Sequence, residues 1–134
     1  MVDCLVPLAA HHGVTGSAAE RGAGVHDLMR AQEVELLQPL LEFLGTKNSV
    51  RVLGPSRAED RAPTVAVELG RNAEAVAAEL SAHGIMAGGG DFYAVRALES
   101  MGVDPAQGML RLSFTHYTSK PEIEQLLKGL DAVL

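Results

Sequence analysis

The sequence predicts an α+β fold, a two-layer sandwich in which helices cover a small mixed sheet of three or four strands. Apolar residues between positions 25 and 44 recur at three- and four-residue steps, which is typical of an amphipathic helix. The stretches VRVL and TVAVEL instead alternate or are β-branched, as strands are. Strands that lie between helices along the chain favour a layer of helices packed on one face of a sheet.

Periodicity and turn residues together predict nine elements. They are helices over residues 2–10, 25–44, 72–83, 92–101 and 121–133, and strands over 49–53, 64–69, 85–87 and 109–114. We expect Pro7 to break or bend the first helix and Pro39 to kink or split the second. Glycine and small polar residues predict a linker over 12–24. We therefore divide the chain into an N-terminal helix and linker segment, residues 1–24, and a domain, residues 25–134.

Composition excludes several classes of function. A chain of 134 residues is long enough for one ordinary domain, and its net charge of −6 comes without a cluster of lysine or arginine, which excludes nucleic acid and anionic membranes as partners. A single cysteine, Cys4, permits no internal disulfide and fits a reducing compartment. The apolar patch at the N-terminus is far shorter than the ~18 residues of a membrane helix, so we predict a cytoplasmic protein.

The segment from residue 83 to 119 holds the candidate functional residues. Gly88, Gly89 and Gly90 permit close approach of a ligand to the backbone, and Arg111 is a lone cation within an apolar stretch. This layout suits an anion site. A tight turn at the glycines, and an ordinary strand arginine that pairs with an acid, explain the same residues without a ligand.

Two motifs in this segment resemble the C-terminal small domain of the class V aminotransferases. GIMAGGGDFYAVRALESMGV is similar to the family's G-I-x-V-x-x-G-H-F-Y-A loop and helix, and LRLSFTHYTSKPEIEQLLKGL is similar to its L-R-I-(S/G)-x-x-H-Y-N-T-x-E-E-[IV]-x-x-L ending. The family has fold type I, depends on pyridoxal phosphate and includes the cysteine desulfurases. The resemblance implies a small domain that a helix enters, near residues 2–8, from a large domain.

The resemblance also implies a substrate site. In the family the arginine at this motif position holds the α-carboxylate of the amino-acid substrate, and the glycine-rich loop lies at the mouth of the active site. The substrate-binding residues that it implies are Arg111, Gly89, Gly90, Asp91, Tyr93 and His116. For Asp91 we favour a helix N-cap over a catalytic role. Tyr93 stands where the desulfurases carry their nucleophilic cysteine, so persulfide chemistry is not expected.

No catalytic residue and no metal site are predicted within the chain. His11 and His12 are adjacent and have no further ligand at metal-binding spacing. None of Lys47, Lys120 and Lys128 matches the family's cofactor lysine, so we expect no cofactor in this chain alone and pyridoxal phosphate in the full-length family. The chain alone is then not expected to be an active transferase.

The predicted partners are an amino-acid or small carboxylate substrate and a missing large domain or a homodimer partner. A second hypothesis is a stand-alone module that binds a small ligand or dimerises, and a third is an inactive remnant of the same family. Removal of a large domain would expose apolar surface, and such surface tends to be buried in partners.

Overall fold

A computed structural model describes residues 2–134, and the side chains of residues 5–134. Met1 and the side chain of Cys4 lie outside this description. The helices are α1 (Val2–His11), α2 (Ala18–Gly45), α3 (Ala73–Ser81), α4 (Val95–Ser100) and α5 (Lys120–Val133), and the strands are β1 (Arg51–Leu53), β2 (Thr64–Glu68), β3 (Gly88–Gly90) and β4 (Met109–Ser113). Among the described helices, none has both the length and the apolar character that crossing a membrane requires.

The four strands form one sheet in the order β1-β2-β4-β3. Each neighbouring pair is antiparallel, with Val67 of β2 opposite Leu110 of β4 and Leu110 opposite Gly89 of β3. The α+β sandwich is confirmed, but the prediction of a mixed sheet is wrong. β2 and β3 do run in the same direction, joined through α3, but β4 lies between them, so no parallel pair is hydrogen-bonded.

The main core lies between the sheet and helices α2, α3 and α5. Along β2 and β4 every second side chain is buried, because successive side chains point to opposite faces of a strand. The buried residues of this face and its helices include Val65, Val67, Leu110, Leu112, Leu37, Leu40, Leu80 and Leu130. Each such burial stabilises the fold by roughly 1.5–3 kcal/mol relative to an exposed side chain.

The opposite, outer face of the sheet is covered only in part. Leu98 of α4 and Val103 pack there on Leu53, with Ala66 and Met109 at the edge of this small cluster. Other residues of the face, among them Thr64, Arg111 and Ser113, are exposed. The outer face is therefore where the strands can present polar side chains to a ligand.

Helix α2 begins earlier than predicted. Residues 18–24 are helical, so the predicted linker shrinks to the short stretch before Ala18. The Glu20 N–H donates to the Ser17 hydroxyl (3.3 Å), and the Ser17 N–H donates to the Glu20 carboxylate (2.7 Å). This capping box satisfies two amides at the helix start. The serine and glutamate three residues apart were the sequence signal for that boundary.

Neither proline divides its helix. α1 continues through Pro7, and α2 continues through Pro39 to Gly45. Leucines on both sides of Pro39 are buried in or beside the main core, namely Leu36, Leu37, Leu40 and Leu41. Their combined burial outweighs the roughly 3 kcal/mol that a proline costs inside a helix.

The third strand and the helix after it begin later than predicted. The strand expected over 85–87 lies instead at Gly88–Gly90, where β4 offers a partner along its free edge. The helix expected to begin at residue 92 begins at Val95. Phe92 and Tyr93 have φ of 51° and 58°, which no right-handed helix accommodates.

The start of α5 supplies a test of pH dependence. The Ser119 hydroxyl and N–H both donate to the Glu122 carboxylate (2.7 Å each), and these hydrogen bonds lower the pKa of Glu122 below its usual 4.5. A carboxyl whose pKa is lower in the folded than in the unfolded state stabilises the fold above the unfolded pKa, and this contribution is lost as pH falls through the folded pKa.

We therefore expect Glu122→Gln to be less stable than the wild type at pH 7, and the difference to shrink as pH falls below 4.5. Urea unfolding at several pH values measures this. Glu124→Gln on the same exposed turn is the control, because no hydrogen bond to Glu124 is present among the described residues. A difference for Glu122→Gln that stays constant down to acid pH would contradict the prediction.

Candidate functional site

Arg111 lies in the middle of β4 and points to the outer face of the sheet. Leu110 and Leu112 on either side of it are buried in the main core, so strand alternation turns Arg111 the other way. Its neighbours across the strands are Ala66 of β2 and Gly88 of β3. Both are small, so the long side chain of Arg111 stands in an open part of the face.

The aromatic ring of Phe92 packs against the Arg111 guanidinium. The guanidinium carbon lies 4.1 Å from the ring centroid, a cation–π contact. Gly88 makes room for this ring, because a Cβ on Gly88 would lie 2.9 Å from the Phe92 Cζ atom. Arg111, Phe92 and Gly88 thus form one stacked group on the outer face.

The turn from Asp91 to Ala94 holds the ring in place. The Tyr93 N–H donates to Asp91 Oδ1 (2.9 Å), and the Ala94 N–H donates to the Asp91 carbonyl (2.9 Å). Phe92 and Tyr93 both have the left-handed backbone, which costs an L-residue roughly 1–2 kcal/mol each. Asp91 is therefore a turn residue and not the predicted N-cap, because α4 begins at Val95 with Ala94 before it.

The predicted loop residues face in different directions. The Tyr93 side chain is fully exposed at the tip of the turn. Gly89 is on the inner side, where a Cβ would lie 2.2 Å from the carbonyl oxygen of Ala73 at the start of α3. Gly90 has φ of 132° and leads from β3 into the turn. The turn that bears Tyr93 contacts Arg111 through Phe92, whereas Gly89 faces helix α3.

His116 belongs to a separate groove. It lines a groove of about 480 Å³ together with residues of α1 and α2, among them Leu8, Leu28 and Glu35. The His116 and Tyr117 rings meet edge to face with centroids 5.3 Å apart. The structure therefore separates one predicted site residue, His116 at the turn after β4, from Arg111 and the loop before α4.

No acidic side chain within the described part of the chain forms an ion pair with Arg111. Arg51, Arg57 and Arg71, by contrast, each pair with a glutamate. The structure thus offers no support for the alternative that Arg111 pairs with an acid of this chain. Its N–H donors remain available to a ligand, since its guanidinium contacts the Phe92 ring and donates no hydrogen bond to another described residue.

Residues 5–134 contain no group of three histidine, cysteine, aspartate or glutamate side chains that could hold a metal ion. The rings of His11 and His12 meet edge to face with centroids 4.9 Å apart. The two histidines therefore pack on each other without a third ligand.

Sequence reasoning missed the contact of Phe92 with Arg111. It treated Phe92 as the first residue of a helix, where its ring would have no fixed relation to β4. The aspartate two residues before Tyr93 was an available signal, because aspartate commonly accepts a hydrogen bond from the N–H two residues ahead and begins a turn.

Comparison with known proteins identifies the family. A family profile described as aminotransferase class-V matches residues 18–126, most of the chain. The chain belongs to the class V aminotransferase family. It is also 28% identical over 140 residues to an aminotransferase-like protein of Gibberella zeae, a match that covers 100% of this chain and 33% of that protein.

Solved structures of cysteine desulfurases share the fold. The chain is 27% identical to a cysteine desulfurase from Thermococcus onnurineus, with a TM-score of 0.70, over 87% of this chain and 30% of that one. A cysteine desulfurase from Escherichia coli aligns with a TM-score of 0.66 at 22% identity, over 89% of this chain and 31% of that one. The chain thus spans about a third of the length of these relatives.

Proposed function

We propose that this chain acts as the C-terminal small domain of a pyridoxal-phosphate-dependent class V aminotransferase or cysteine desulfurase-like protein. In this proposal Arg111 binds the carboxylate of an amino-acid substrate, in a site that a large domain completes. In this proposal residues 25–134 form the domain, and the preceding residues lead into it, with 18–24 continuous with the domain as the first turns of α2. The single observation that carries the proposal is the Arg111 guanidinium, held by Phe92 on the open face of the sheet and free of any described acidic partner.

The chemistry of the guanidinium favours a carboxylate ligand. Its five N–H donors lie in one plane and match the two oxygens of a carboxylate in a bidentate pair. Because the Phe92 ring contacts the exposed guanidinium from one side, a carboxylate can still approach from the other sides. Asp91 engages its own turn and leaves Arg111 unpaired. An amino acid or a keto acid supplies the negative group that this arrangement lacks.

None of the three lysines of the chain is well suited to form the Schiff base with pyridoxal phosphate. A Schiff base requires a lysine amine that can lose its proton. Lys47 pairs with Asp131 (2.8 Å), and Lys120 pairs with Glu35, whose hydrogen bond raises the pKa of Lys120 above its usual value. Lys128 is exposed on α5. We therefore assign the cofactor to a large domain outside this chain.

The other predicted site residues have places in this proposal. Asp91 and Tyr93 belong to the turn whose Phe92 contacts Arg111, and Gly90 leads into it; there they can contact the substrate or the large domain. Gly89 sets the position of this turn through its packing on α3. His116 lines the neighbouring groove, on the side of α1 and α2. The single cysteine of the chain supports a location in the cytoplasm.

Titration of the full chain with pyruvate and with L-alanine tests this proposal, with backbone amide NMR shifts as the measurement at low ionic strength. We expect saturable binding, with shifts centred on β3, β4 and the Asp91 turn. Arg111→Lys removes the bidentate fork and is expected to weaken binding about tenfold or more.

Arg96→Lys is the matched control, because Arg96 is an exposed arginine on α4, the helix that follows the Asp91 turn. It is expected to leave pyruvate affinity unchanged. The proposal places the carboxylate-binding group, Arg111, wholly within this chain. Absence of saturable binding, or equal affinity of the Arg111→Lys variant and the wild type, would therefore contradict the carboxylate role.

Exposed apolar side chains favour a second candidate, a module that dimerises on its own. Leu28 and Tyr117 are 38% and 79% exposed and line the same groove. Two copies that shared this groove would bury these groups. Light scattering of the full chain over a range of concentrations tests this candidate. A monomeric mass at every concentration would contradict it.

A further inference from the structure

We propose that Phe92 is a positioning residue for Arg111: its ring orients the guanidinium so that the in-plane donors meet the substrate carboxylate. This inference rests on the proposed function of Arg111 and assigns a role to a residue outside the predicted site. Three features of the outer face carry it, namely the small neighbours of Arg111, the strained turn that bears the ring, and the geometry of the stack.

The strands beside β4 offer Arg111 little lateral support. Its cross-strand neighbours are Ala66, with a single side-chain carbon, and Gly88, with none. A long arginine side chain in such surroundings can adopt many rotamers, and ordering them on ligand binding costs entropy. Among the described residues, the ring of Phe92 contacts the guanidinium.

The backbone around Phe92 departs from its preferred conformation to bring the ring there. Phe92 and Tyr93 both have positive φ, and Gly90 before them has φ of 132°. Two adjacent non-glycine residues in this region are unusual and persist only where their surroundings hold them. Here the two hydrogen bonds to Asp91 hold the turn, and the missing side chain of Gly88 admits the ring.

The contact with Phe92 leaves donors of Arg111 free. The ring centroid lies 4.1 Å from the guanidinium carbon, so the ring contacts the cation from one side and attracts its charge. A carboxylate binds in the plane of the guanidinium, on the sides that the ring does not occupy. The ring therefore restricts the rotation of the Arg111 side chain and does not compete with the ligand for its N–H donors. It also displaces water from one side of the cation.

NMR of the full chain tests the positioning role in two ways. First, the ring current of Phe92 should shift the Arg111 Hδ and Hε signals upfield, and this shift should be lost in Phe92→Leu. Second, Phe92→Leu should weaken pyruvate binding about three- to tenfold, as expected for loss of a cation–π contact. Phe92→Tyr retains the ring and should bind pyruvate within about twofold of the wild type.

Gly88→Ala is a second route to the same test, because its Cβ would meet the Phe92 ring at 2.9 Å and displace it. It is expected to reduce both the upfield shift and the pyruvate affinity, which keeps the inference testable if Phe92→Leu fails to fold. The upfield shift of the Arg111 signals can be measured on the wild-type chain, without any variant. Arg111 signals without an upfield shift would overturn the inference.

The outcomes separate this inference from the proposed function. If Arg111→Lys loses pyruvate binding but Phe92→Leu and Gly88→Ala bind as the wild type does, the positioning role is overturned and the carboxylate role stands. If the wild-type chain binds no carboxylate, the proposed function fails, and the Arg111 shift alone then decides whether Phe92 orients the guanidinium. Affinity lost in Phe92→Leu and retained in Phe92→Tyr supports the inference.

Discussion

Replacement of Gly89 by alanine is expected to lower the free energy of unfolding by about 3 kcal/mol, because the new methyl group has no space. The Cβ would lie 2.2 Å from the Ala73 carbonyl oxygen and 2.5 Å from the Glu74 nitrogen. Both are backbone atoms at the start of α3, so no side chain can move aside to relieve the overlap. β3 or α3 must shift. Urea unfolding of the variant measures the loss.

Gly22→Ala is the control for the glycine substitution. Gly22 lies within α2, and a Cβ there would meet nothing within 4 Å. Alanine is the better helix former, so this variant is expected to gain about 0.5–1 kcal/mol. If Gly89→Ala were as stable as the wild type, β3 could not pack on α3 as closely as described. A role in ligand binding would then be the remaining reason for a glycine at position 89.

Leu110→Ala is expected to cost about 2–5 kcal/mol, the range for a fully buried leucine that leaves a cavity. Leu110 is 0% exposed at the centre of β4, with Val67 opposite it on one side and Gly89 on the other. Gly89 has no side chain with which to fill the space, so the cavity cannot readily collapse. Urea unfolding followed by far-ultraviolet circular dichroism measures the effect.

Leu28→Ala removes the same atoms from a leucine that is 38% exposed on α2. We expect it to cost less than half as much as Leu110→Ala, because less apolar surface leaves water there on folding. Equal losses at the two positions would mean that Leu110 does not lie in the core described above. Both variants leave Arg111 untouched, so pyruvate binding at low denaturant serves as a check on the folded state.

Periodicity predicted the helical core well, because buried leucines at three- and four-residue steps and alternating valines are properties of the local sequence. The errors came from tertiary contacts. Pro39 remains helical because the leucines around it are buried. The strand at Gly88–Gly90 has no side chains to mark it and exists because β4 pairs with it. Neither effect can be read from a short window of sequence.

The candidate site was predictable in part. Strand alternation between Leu110 and Leu112 was enough to place Arg111 on the exposed face. The stack with Phe92 was not, since it depends on positive φ at Phe92 and Tyr93 and on the register of Gly88 against Arg111. His116 shares the second motif with Arg111, yet it lies past the end of β4, where the chain turns toward α1 and α2.

We propose that this chain works as one domain of a longer class V aminotransferase, and the size of the native polypeptide tests this proposal most directly. An antibody raised against this domain would be used on an extract of the source cells. We expect a band near ~40–45 kDa, the size that a large domain of roughly 250 residues would add to this one. A band at 14.1 kDa alone would contradict the proposal.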